Sequence, residues 1–80
     1  MTDKQALKVL AKNVRERRMA QGLSLRKLAL QIGDWPTSIK RIEDGESMPG
    51  AGLLTRLADA LGTSPDGLLG INSNEFSSAR

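Results

Sequence analysis

The sequence predicts an all-α domain of five short helices, and three observations carry that prediction. Residue usage favours helices: leucine occurs twelve times and alanine eight, against six valines and isoleucines together. Apolar residues recur at three- and four-residue steps in successive stretches. Each of the first four stretches runs into a glycine, at Gly22, Gly33, Gly45 and Gly62, where a helix can stop. Eighty residues leave room for one small core and no second one.

The first helix places Leu7, Leu10, Ala11 and Val14 on one face and Lys4, Lys8, Lys12 and Arg15 mostly outside it. The next position of the apolar face is Arg18, an unusual residue to find there. Ser24 caps a second, short helix from Leu25 to about Gln31, with Leu25, Leu28, Ala29 and Ile32 inward. Pro36 suits the first turn of a third helix, since its missing N–H and fixed φ cost nothing there, and it pushes Trp35 into the extended conformation of an N-cap. That helix carries Ile39 and Ile42 inward, and the same face continues at Glu43. Pro49 and Gly50 lead into a fourth helix with Leu53, Leu54, Leu57, Ala58 and Leu61 at helical spacing. Ser64-Pro65-Asp66 is a cap, a first-turn proline and an acid at the positive end of a dipole, opening a single turn through Leu68 and Leu69. Residues 1–71 therefore form the domain, and 72–80 read as a loose polar tail with Phe76 its one apolar anchor.

Composition excludes several classes of function. There is no cysteine, hence no disulfide and no thiolate metal site. There is no histidine either, which removes the commonest metal ligand and general base. No phosphate-binding glycine motif is present, and no cofactor or small-molecule ligand is indicated, so an enzyme is poorly supported. Every uncharged stretch falls far short of the roughly 18 residues that a membrane span needs, and a cytoplasmic location is the default. The net charge of +3 hides a lopsided chain. Lys4 to Arg41 holds ten basic and two acidic residues, whereas Ile42 to Arg80 holds two basic and six acidic. Such asymmetry points to a polyanion or an anionic surface. A lysine-rich membrane-surface helix is ruled against because the core needs Leu7, Leu10 and Val14.

The most informative spacing is Ala29-x3-Gly33-x5-Ile39-x2-Ile42. Two short helices crossing steeply need a small side chain where their backbones approach, and Ala29 supplies it. The tight turn needs a residue tolerant of positive φ, and Gly33 supplies that. Ile39 and Ile42 pin the second helix of the pair, leaving Thr37, Lys40 and Arg41 outside. This is helix-turn-helix geometry, in which the second helix lies in the DNA major groove. Any five-helix domain also has alanines and glycines at its crossings, so the spacing alone leaves both readings open.

Taken together, Val14-Arg15, Arg18, Gly22-Leu23-Ser24, Leu28-Ala29, Gly33, Ile39, Glu43-x-Gly45, Pro49 and Leu54-x-x-Leu57-Ala58-x-Ala60-Leu61-Gly62 resemble the helix-turn-helix domain of phage lambda-type repressors and Cro proteins, the XRE-type family. The resemblance covers roughly Leu10 to Leu69. It implies a five-helix fold and a repressor-like transcriptional regulator that binds inverted-repeat operators as a dimer. Phage or prophage switches, restriction–modification controllers, antitoxins and stand-alone regulators all fit it. It implies a structural ion pair between Arg18 and Glu43. For base reading it points to Pro36, Thr37, Lys40 and Arg41, with a phosphate contact favoured for Lys40. Ser24, Arg26, Lys27 and the backbone N–H groups opening the second helix are the expected phosphate holders, with Ser47 and Gly50 at the start of the fourth. A dimer interface is expected at Leu68, Leu69, Ile71 and Phe76, which exceed what so small a core can bury.

Four positions depart from the family pattern. Leu25 replaces the usual glutamine, and Glu46 stands where a basic residue is common. Asp34 occupies an ordinarily apolar position and is expected to cap the third helix instead. Trp35 replaces a small polar N-cap, and it is expected to pack into the slot that Asp34 vacates, the alternative being a stack on a sugar at the groove edge. Asp34, Glu46 and Leu25 at the presumed DNA face are the best support for a second class of function, an antitoxin-like or adaptor module that keeps the fold and binds protein.

Overall fold

The computed structural model describes residues 2–71, which form α1 (Asp3–Ala20), α2 (Leu25–Ile32), α3 (Pro36–Glu43), α4 (Ala51–Ala60) and α5 (Pro65–Leu68), with no strand among the described residues. The fold is all-α, as the sequence predicts. Three of the helices start on a hydroxyl side chain that takes up an otherwise unpaired first-turn N–H. Ser24 Oγ accepts from the Lys27 N–H and Ser64 Oγ from the Gly67 N–H, each at 3.0 Å. At α1 the exchange is reciprocal: Thr2 Oγ1 accepts from Gln5 N–H while Thr2 N–H donates to Gln5 Oε1. That capping box makes α1 one turn more definite at its start than its hydrophobic pattern alone suggests.

The core gathers the inward face of every helix: Leu10 and Val14 from α1, Leu28, Ala29 and Ile32 from α2, Ile39 and Ile42 from α3, Leu57 and Ala58 from α4, Leu61 beyond it, and Leu68 from α5. Helix α3 packs on α1 and α2, α2 packs on α4, and α5 closes the far end against α1 and α4. Two polar side chains reinforce these joints. Arg56 of α4 donates from Nε to the Ile32 carbonyl at 3.0 Å, satisfying a carbonyl in the last turn of α2. Asn13 of α1 donates to the Leu68 carbonyl at 2.9 Å, doing the same for α5.

The α2–α3 turn depends on Gly33, which has φ +70° and forms the left-handed C-cap of α2. No atom lies within 4 Å of where its Cβ would sit, so the requirement there is purely conformational. Gly70 differs. It has φ +76°, and a Cβ on it would come within 2.8 Å of Val9 Cγ1, so this second glycine also makes room for α1.

The two charges on apolar faces meet. Arg18 donates from Nε to Glu43 Oε2 at 2.6 Å and from Nη2 to Glu43 Oε1 at 3.0 Å. Its remaining terminal nitrogen donates to the Leu23 carbonyl at 2.7 Å. The side chains are 14 % and 8 % exposed, so the pair is largely out of water. The hydrogen bond to Glu43 holds the guanidinium still more firmly charged, against the opposing pull of burial. One guanidinium thus ties α1, the α1–α2 loop and α3 together. The bidentate geometry is what repays the desolvation.

The structure corrects two expectations. Leu68, placed at a dimer interface, is 0 % exposed and belongs to the core, so it has no surface to offer a partner. Trp35, expected to pack inward, is 74 % exposed, because the residue before α3 lies at the rim of the turn rather than over the core. Leu69 is half-buried against the core, Ile71 is 42 % exposed, and Phe76 lies outside the described residues.

Two predictions arise from these contacts. Glu43→Ala strands the Arg18 charge and should cost about 3 kcal/mol, which for a domain of this size lowers the melting temperature by more than about 10 °C; an unchanged melting curve would show that the pair carries no stability. Gly33→Ala should cost about 1 kcal/mol from positive φ alone. Gly70→Ala should cost distinctly more because of the added contact with Val9, and thermal melts of the two variants compare them directly.

Candidate nucleic-acid interface

Helix α3 has two faces because 100° per residue separates its side chains into two groups. Ile39 and Ile42 point into the core, and Glu43 is held by Arg18 beside them. Thr37, Lys40 and Arg41 fall on the other side, and all three are exposed, with Pro36 half-buried at the first turn. Thr37 and Arg41 are one turn apart, so their side chains are neighbours on the outer surface. Its N-cap, Trp35, is extended at φ −97° and ψ 145° and forms no side-chain cap bond.

Helix α2 presents its own exposed residues, Arg26 and Lys27, in its first turn. Ser24 is committed as the cap through its oxygen, which leaves its hydroxyl proton free to donate. The first-turn amides of Leu25 and Arg26 have no intrahelical acceptor, and together with two cations they make an end suited to phosphate. Arg26 also lines a surface pocket with Trp35 and Pro36, which places the start of α2 beside the start of α3. Ser47 is half-buried in the loop before α4, and Glu46 next to it is exposed.

Three acidic groups temper the positive surface. Lys40 Nζ pairs with Asp44 Oδ2 at 3.1 Å, one turn along the outer face of α3. Such an exposed pair is worth only about 0.3–0.5 kcal/mol, so it yields readily to a phosphate. Asp34 Oδ1 accepts the Trp35 backbone N–H at 2.7 Å. The expectation that Asp34 caps α3 is therefore not met: Trp35 is the N-cap, and the carboxylate bonds to that residue's own amide rather than to one inside the first turn. That N–H, with the Ser38 side chain adding to it, holds the Asp34 carboxyl below the usual carboxylate range. Glu46 is the third acid. No hydrophobic pattern marks Arg56 in the sequence, since its hydrogen bond to a carbonyl 24 positions earlier and its charge near Asp34 arise only in the fold.

Among the described residues no group of three or more acidic, histidine or cysteine side chains could hold a metal ion, and no helix is long and apolar enough to cross a membrane.

Comparison with known proteins agrees with this geometry. The HTH_3 helix-turn-helix family model matches residues 14–68. A solved HTH_3 family transcriptional regulator from Vibrio cholerae superposes with TM-score 0.79 at 29 % identity, covering 99 % of this chain and 44 % of that one. The chain thus spans less than half the length of that regulator. The restriction-modification controller protein C.AhdI from Aeromonas hydrophila superposes with TM-score 0.73 at 31 % identity, covering 78 % of this chain and 94 % of that one. Hydroxypropylphosphonic acid epoxidase from S. wedmorenis also matches, with TM-score 0.73 and 31 % identity over 82 % of this chain but only 35 % of the enzyme. No curated protein matches the chain. With the family model spanning well over half of its residues, the chain belongs to the HTH_3 helix-turn-helix family.

Proposed function

We propose that the chain is a sequence-specific, repressor-like DNA-binding regulator that sits as a dimer on an inverted-repeat operator with α3 in the major groove. The observation that carries this reading is the division of α3. Ile39 and Ile42 are 0 % and 1 % exposed, while Thr37, Lys40 and Arg41 stand in solvent on the opposite side. Family membership and likeness to transcriptional regulators support the same reading.

In it, Arg41 donates two bonds to guanine O6 and N7, and Thr37 meets a thymine methyl or an acceptor beside Pro36. Lys40 exchanges Asp44 for a phosphate. Ser24, Arg26, Lys27 and the first-turn amides of α2 hold the phosphate backbone, with Ser47 at the start of α4. Two recognition helices lie about one DNA turn, roughly 34 Å, apart. Ile71, with half-buried Leu69, is the apolar surface left at the end of α5 for the dimer contact. The chain works in the cytoplasm without cofactor and has no catalytic role of its own.

The protein-binding alternative draws on exposed Glu46 and on half-buried Asp34 and Leu25 at the proposed DNA face. Salt dependence separates the two readings. With about six phosphates neutralised, log affinity should fall against log salt with a slope near −5, and a slope near zero for duplex DNA would overturn the proposal. Arg41→Ala should lose about 1–3 kcal/mol of discrimination at a single G·C pair. Lys27→Ala should weaken all duplexes alike and reduce the slope by about one. Titration of selected and mixed-sequence duplexes at several salt concentrations checks all three.

A further inference from the structure

Among the described residues, the two most exposed large apolar side chains are Leu30 and Trp35, at 77 % and 74 %. They are not scattered. Both line one surface pocket of about 360 Å³, together with Arg26, Asp34 and Pro36. Leu30 and Arg26 stand one turn apart on the outer face of α2, and Trp35 closes the pocket from the start of α3.

Trp35 serves neither of the two purposes that would account for it inside the monomer. It adds nothing to the core, and it makes no cap bond for α3, although Thr2, Ser24 and Ser64 cap α1, α2 and α5 with their side chains. A local rule broken with no internal compensation is expected at a site that contacts something else. Its position says what. Trp35 directly precedes Pro36 and Thr37, at the helix end that reaches base edges in helix-turn-helix docking. Arg26, which lines the same pocket, supplies a cation near the aromatic surface. The nearest acid, Asp34, is engaged with the Trp35 amide and partly offset by the Arg56 charge. A flat apolar surface edged by a guanidinium complements a deoxyribose and its phosphate, which present an apolar ring face next to an anion.

We propose that Trp35 is a DNA contact, its indole stacking on a deoxyribose at the edge of the major groove with Leu30 behind it and Arg26 on the adjoining phosphate. This rests on the DNA-binding reading above and adds to it a contact outside the recognition-helix face.

Trp35 is the single tryptophan, so indole emission reports this site alone. The test uses the full chain and short end-labelled duplexes selected from a randomised pool, with DNA anisotropy and indole emission read in the same titration. Emission should be quenched as anisotropy rises, and the indole should become protected from acrylamide. Trp35→Phe should bind close to wild type. Trp35→Ser should bind roughly tenfold more weakly, with a melting temperature equal or higher, because serine is the better N-cap. That variant therefore separates a lost contact from a lost fold. Wild-type affinity in Trp35→Ser, with the indole of the wild-type complex still open to acrylamide, would overturn the proposal and leave the patch as a face for another protein while the DNA reading stands. If the wild-type chain moves the anisotropy of none of the duplexes, the DNA reading itself falls and takes this contact with it.

Discussion

The Arg18–Glu43 pair is the constraint on which the candidate interface depends. A short helix such as α3 has little intrinsic stability, and its orientation comes from what it packs against. Hydrophobic contacts through Ile39 and Ile42 hold it to the core, but they are non-directional and tolerate small rotations. The bidentate pair does not tolerate them, because both carboxylate oxygens must stay in line with the fork of one guanidinium. By reaching the Leu23 carbonyl as well, Arg18 couples the angle of α3 to the loop from which α2 begins. The surfaces carrying Arg26, Lys27, Thr37 and Arg41 are thereby set relative to one another by this side chain together with the Gly33 turn and the direct packing of α2 on α3.

That arrangement also changes how the charge is counted. The N-terminal half of the chain is strongly basic, yet Arg18 is spent inside the fold and Lys40 is shared with Asp44. The positive surface that remains is narrower than composition suggests, and it is concentrated at the first turn of α2 and the outer face of α3. An exposed pair such as Lys40–Asp44 is weak enough to reopen, whereas the Arg18–Glu43 pair is not, because separating buried partners costs several times more.

Much of this was legible in the sequence, and for definite reasons. Helical spacing of Leu10, Val14, Leu57 and Leu61 reported burial directly, since a helix can bury only one stripe. Ser24 and Ser64 announced their helix starts through the capping oxygen. The pairing of Arg18 with Glu43 was suggested by charges lying on apolar faces together with the family resemblance. What stayed hidden involved contacts made across the fold. Arg56 and Asn13 satisfy carbonyls at helix ends far away in sequence. Leu68 shares its apolar character with Ile71, and only the seating of α5 against α1 and α4 separates a core residue from a surface one.

Local chemistry, written residue by residue, was enough to determine the five helices, the Ser24 and Ser64 caps, the glycine stops and the turn at Gly33, because each depends on a few neighbouring side chains and on backbone sterics. The partition of the same residues between core, joint and open surface was decided in three dimensions. Trp35 shows the difference most clearly. Its sequence neighbours make it the N-cap of α3, but whether an indole at that cap turns inward or outward depends on where α2 lies beside it. The packing of α2 on α3 leaves the ring in water next to Leu30 and Arg26.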